Sequence, residues 1–230
     1  MNNYSGPTYY AQESNLMYRV YAWMCAALAI TAATAYYVST SPAILNFIFS
    51  KPFVPIVLII VQLGLVVALS FLIERISLAT AVTLFILYSI SMGLTLSAIF
   101  LVYQLTSIFA TFLVTSGMFG AMAIYGYFTK ADLSSMGSFL FMGLIGLIIG
   151  GLVNMFLKSA SFQYVLSAIG VLVFTLLTAY DVQKIKNIMQ ERAADRETMG
   201  KIALIGALTL YLDFVNLFLF LLQFMGRRKD

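Results

Sequence analysis

Seven long apolar runs separated by short polar or charged stretches organise this chain. They fall at about Val20–Val38, Phe53–Ile73, Leu78–Val102, Ile108–Tyr127, Phe139–Leu157, Tyr164–Tyr180 and Ile202–Met225. Each is close to the length with which a helix crosses a ~30 Å hydrocarbon layer. Helices are required, because a lone strand in lipid leaves its backbone groups unsatisfied. The third and fourth runs are joined by a few residues around Gln104–Ser107, which predicts a tight antiparallel pair. Two connections are longer: Ser39–Pro52, with Pro42 and Pro52, and the highly charged Asp181–Lys201. Residues 1–18 read as a polar, disordered or interfacial tail without a cleavable signal, 19–226 as one transmembrane domain, and 227–230 as a short basic tail.

Composition agrees with the pattern. Of 230 residues, 62% are hydrophobic and 10% charged, against roughly 45–50% and about 25% in a soluble domain. The net charge of +4 could suggest nucleic acid, but the basic residues form no patch; they occupy short loops between apolar runs. One side collects Arg19, Arg75, Lys130, Lys184, Lys186, Arg192, Arg196 and Lys201; the other collects Lys51, Lys158, Arg227, Arg228 and Lys229. The richer side belongs in the cytoplasm, which puts the amino terminus inside and the carboxyl terminus outside. Cys25 is the single cysteine and histidine is absent. That excludes a disulfide framework, cysteine-based metal sites, Ser-His and Cys-His catalysis and haem ligation by histidine. Any response to protons must then come from carboxyl groups.

Small residues mark close helix packing. Gly117, Gly120 and Gly126 lie on the fourth run, and Gly143, Gly146, Gly150 and Gly151 on the fifth. Gly146 and Gly150 form a small-xxx-small pair, expected to pack within one subunit.

Asp213 is the most informative residue. It sits in Leu210-Tyr211-Leu212-Asp213-Phe214-Val215-Asn216, roughly 16 Å into the last helix at ~1.5 Å per residue. A lone carboxylate there costs several kcal/mol, so it faces the bundle interior, holds a proton or finds a partner. Thr209 and Asn216 share its helical face. Asp181 closes the sixth run in Tyr180-Asp181-Val182-Gln183-Lys184, on the side where the seventh begins; a solvated acid paired with Lys184 is the plainer reading of it. Glu74 and Arg75 end the second run on that same side, where Arg75 could meet lipid headgroups or turn inward toward the aspartates. Two buried carboxylates close together cannot both ionise cheaply and titrate as a coupled unit. Their hard oxygens also suit a divalent cation such as Ca²⁺, so proton and cation would compete.

At these residues the sequence resembles the Bax inhibitor-1 family (the transmembrane Bax inhibitor motif proteins), particularly its bacterial members. The resemblance spans roughly residues 15–226. It is carried by Gly93-Leu94-Thr95-Leu96-Ser97, Thr129-Lys130-Ala131-Asp132-Leu133-Ser134, Tyr180-Asp181-Val182-Gln183-Lys184-Ile185-Lys186 and Leu208–Phe218. It implies an all-α fold with six transmembrane helices wrapped around a central C-terminal seventh. It further implies an inner-membrane, pH-sensitive Ca²⁺ leak channel, governed by an aspartate pair matching Asp181 and Asp213 and an arginine matching Arg75, and an association of bacterial members with membrane protease regulation.

Other functions compete. A non-conducting regulator that binds another membrane protein remains open. An intramembrane aspartyl protease is disfavoured, because Asp213 lacks a glycine-rich approach and no Pro-Ala-Leu element follows. Retinal binding is excluded because no lysine lies mid-span in the seventh run. The expectation is a protein that is not an enzyme, carries no cofactor, and has the lipid bilayer, Ca²⁺ and H⁺ as its partners.

Overall fold

A computed structural model describes residues 7–191 and 195–229, and among them every regular element is an α-helix. In chain order these are α1 (Pro7–Ser39), α2 (Pro42–Phe49), α3 (Phe53–Leu72), α4 (Leu78–Leu96), α5 (Ile99–Val102), α6 (Leu105–Phe128), α7 (Met136–Leu157), α8 (Ala160–Glu191) and α9 (Arg196–Met225). Seven stretches are long and apolar enough to cross a membrane: Leu16–Ser39, Phe53–Leu72, Leu78–Val102, Leu105–Phe128, Met136–Leu157, Ala160–Met189 and Glu197–Met225. The protein is an all-α membrane protein with seven transmembrane helices. Exposed apolar side chains such as Phe71 of α3 and Phe156 of α7 form surface that lipid rather than water would cover.

The elements depart from the apolar runs in four places. The stretch 1–18 lies outside the described residues over 1–6 and is helical from Pro7 onward, a proline being well suited to the first helical position. The 39–52 connection contains α2, entered from extended Ser41 through Pro42. The third run is interrupted after Leu96, where the Ser97 N–H bonds Gly93 O and its hydroxyl donates to Leu94 O at 2.6 Å. Finally, α8 continues about three turns past Tyr180, so Asp181 lies within the helix rather than at its end.

The chain forms two compact units, the first comprising residues 1–102 and 189–211 and the second 103–188 and 212–230. In the first, α4 packs against α1 and α3. Its interior holds polar groups that satisfy one another: Thr31 Oγ1 donates to Ser89 O at 2.9 Å and lies 2.7 Å from Tyr211 Oη, while Gln62 Nε2 donates to Ser91 O and Thr95 Oγ1. Such pairing is what makes a glutamine tolerable mid-span.

The second unit contains α6, α7, most of α8 and the latter half of α9. Gly126 of α6 lies directly against the Ala179 backbone of α8, where a Cβ would collide with the carbonyl. Of the α7 glycines singled out in the sequence, Gly143 lies beside Val173 and Gly150 beside Leu166 of α8, whereas a Cβ at Gly146 would meet nothing within 4 Å. The packing pair is therefore spaced seven residues apart rather than four, two full turns along one face.

Candidate functional site

The carboxyl-terminal part of α8 is tied to the loop between α6 and α7. Gln183 uses both ends of its amide: Nε2 donates to Ala131 O and Oε1 accepts from the Leu133 N–H, each at 2.9 Å. Lys186 Nζ donates to Tyr127 O at 3.0 Å and sits 4.6 Å from the centre of the Tyr127 ring. Tyr180 covers Gly137, whose Cβ would come within 2.6 Å of the phenol oxygen. Polar residues that look like a helix end in sequence thus hold this stretch of α8 helical and fix its rotation.

That rotation turns Asp181 inward. Asp181 of α8 and Asp213 of α9 belong to the same compact unit and are close enough to interact with each other. Both are buried, at 9% and 5% relative exposure. A hydrogen bond between two carboxyl groups needs a proton on one of them, and away from water one shared proton costs far less than two adjacent charges. Asp213 Oδ2 has no hydrogen-bond partner among the described residues.

The other residues singled out in the sequence are arranged differently. Thr209 Oγ1 donates to Ile205 O at 3.1 Å and Asn216 Nδ2 to Leu212 O at 2.8 Å. They share the face of Asp213 but spend these donors on their own helix, the usual solution for a polar side chain in an apolar span. Glu74 and Arg75 are exposed in the turn after α3, in the first compact unit. A cation near Asp181 is Lys184, one turn along α8, whose ammonium lies 5.7 Å from the centre of the Tyr180 ring. Sequence reasoning passed over the amides Asn154, Gln163, Gln183 and Gln223. Their presence within or beside apolar runs was the available signal.

The comparisons with known proteins cover this whole arrangement. The family model described as "Inhibitor of apoptosis-promoting Bax1" matches residues 13–230. This chain belongs to the Bax inhibitor-1 family. The inner membrane protein YbhL of Escherichia coli (strain K12) is 50% identical over 215 residues, covering 93% of this chain and 92% of YbhL. A Borreliella burgdorferi protein is 44% identical over 218 residues, 95% of this chain and 94% of its own length. A Rickettsia prowazekii protein is 44% identical over 214 residues, 93% and 90%. In this Bax inhibitor-1 chain, two of the stretches that carry the resemblance, Thr129–Ser134 and Tyr180–Lys186, are direct partners through Gln183.

Proposed function

We propose that this chain is a pH-sensitive cation leak of the bacterial inner membrane, with Ca²⁺ as permeant ion and the Asp181–Asp213 pair as its gate. The observation that carries the reading is the meeting of two buried carboxyl groups on neighbouring membrane helices, one of them with an oxygen left unpartnered. Ionisable groups at such depth are expensive, and function is the ordinary reason they are kept. Among the described residues no third His, Cys, Asp or Glu joins them in a group able to hold a metal. Two carboxyl groups supply only part of the roughly six to eight oxygens that Ca²⁺ takes, so Ca²⁺ enters the reading as cargo that passes and competes with protons. The reading assigns no catalytic step. Arg75 comes to it from the family resemblance, and Lys184 from the geometry.

The decisive test is Ca²⁺ entry into liposomes carrying the full-length protein, followed across pH for wild type, Asp181→Asn, Asp213→Asn and Arg75→Ala. Either Asp→Asn change keeps the side-chain volume and removes the titration, so the pH dependence seen in wild type should be lost. Four indistinguishable traces would end the gating idea.

A non-conducting regulator that binds other membrane proteins, such as proteases, is the second reading. It draws on Gly117 of α6 and Gly146 of α7, where a Cβ would meet nothing within 4 Å. Small residues left open on a membrane helix admit the backbone of another helix. A stable co-purifying membrane partner without ion flux is its signature.

A further inference from the structure

The latter half of α9 carries Asp213, Asn216, Phe220 and Gln223 at alternating spacings of three and four, which places them on one stripe. Gln163, Ser167, Gly170, Phe174 and Asp181 form a matching stripe on α8. The observed contacts run in antiparallel order: Asp181 with Asp213, Gly170 and Phe174 with Phe220, and Gln163 and Ser167 with Gln223. All lie within the second compact unit.

This seam is polar at both ends. Opposite the aspartates, Asn154 Nδ2 donates to Gln163 Oε1 at 2.8 Å, Gln163 Nε2 to Gln223 Oε1 at 2.6 Å, and Ser167 Oγ to the same Gln223 oxygen at 3.3 Å. Every amide oxygen in this cluster already accepts a hydrogen bond, Asn154 Oδ1 from the Ser159 N–H. The cluster is thus a satisfied polar network rather than a ligand set waiting for an ion. From Asp213 to Gln223 is about 15 Å along the helix at ~1.5 Å per residue. Between them Phe220 stacks on buried Phe174, ring centres 5.7 Å apart and planes at 26°. Phe220 also lies flat against α8 at Gly170, where a Cβ would come 2.6 Å from ring carbon Cδ2. A glycine in a helix interior carries an entropic cost, and here its missing side chain provides the seat for that ring.

We infer that Phe220, stacked on Phe174 and seated on Gly170, is the apolar barrier of a path along the α8–α9 seam, in series with the aspartate pair. An aromatic constriction blocks ions because it offers nothing to replace their hydration shell and sheds water itself. Phe220 is only partly buried, whereas Phe174 beneath it is buried. The inference rests on the leak reading, and its test separates the two.

Full-length wild type, Phe220→Ala, Phe220→Leu and Gly170→Ala are reconstituted into liposomes with a Ca²⁺-sensitive dye inside, after each is shown to be monodisperse and helical in detergent. At the pH where wild type conducts least, Phe220→Ala should pass Ca²⁺ several-fold faster, and the increase should persist in an Asp213→Asn background. Gly170→Ala, whose new methyl displaces the ring, should also raise the flux. Phe220→Leu, an apolar side chain without a flat ring, should fall between wild type and Phe220→Ala, and it decides the matter if the alanine variant aggregates. Wild-type rates in the folded Phe220 variants overturn the barrier and leave the leak standing. Flux no greater than in protein-free liposomes, for wild type and both Asp→Asn variants at every pH, overturns the leak and the barrier with it.

Discussion

Asp132 and Asp213 share a side chain and live by opposite physics. Asp132 lies in the loop between α6 and α7, where its Oδ1 accepts the Ser134 N–H at 2.9 Å. Hydrogen bonds from the Ser134 side chain and backbone favour the charged form and hold the carboxyl below its usual 3.8. A depressed folded value means that any stabilisation from this group is present above the unfolded value and is lost as pH falls through the folded one. In a carboxyl-resolved NMR titration of the solubilised protein, Asp132 should titrate below 3.8, and Ser134→Ala should bring it back toward that value. A midpoint unmoved by the substitution would show that the Ser134 hydroxyl is not the cause. Among the described residues Asp213 Oδ2 has no such donor, and the ionisable neighbour of this carboxyl group is Asp181. The burial of Asp213 away from water was legible because a lone charge in an apolar run has few bland explanations; which residue neighbours it was not.

At the scale of elements, α8 shows where an apolar run and a helix part company. The run ends near Tyr180, yet the helix continues to Glu191 because Gln183 and Lys186 find carbonyl and N–H partners on the 127–133 segment. Hydropathy records whether a residue is polar, and the partner that lets it stay in a packed helix is remote in sequence. The glycines carry the same lesson in measurable form. Gly126→Ala forces a methyl into the Ala179 backbone, which cannot rotate away, and should destabilise by about 1–3 kcal/mol. Gly117→Ala on the same helix enters open space and should be neutral, or stabilising by roughly 0.5–1 kcal/mol from helix propensity. Thermal unfolding of the two variants in detergent gives the comparison, and equal melting temperatures would refute the close contact between α6 and α8.

At the scale of the whole molecule, the distribution of Lys and Arg along the seven spans predicts the amino terminus in the cytoplasm and the carboxyl terminus outside. Alkaline phosphatase fused after residue 230 should therefore be active in cells and green fluorescent protein at the same point dark; the reverse pair of results would invert the orientation. The number of spans, their approximate limits and the anomaly of Asp213 were set by residue chemistry alone, because lipid imposes one demand on every backbone group and every charge. The pairing of Asp181 with Asp213, the choice of Gly143 and Gly150 over Gly146 and the seating of Phe220 on Gly170 were decided only by tertiary structure. Each depends on how far one helix turns and slides against another, and an all-apolar surface leaves that register to contacts between residues far apart in the chain.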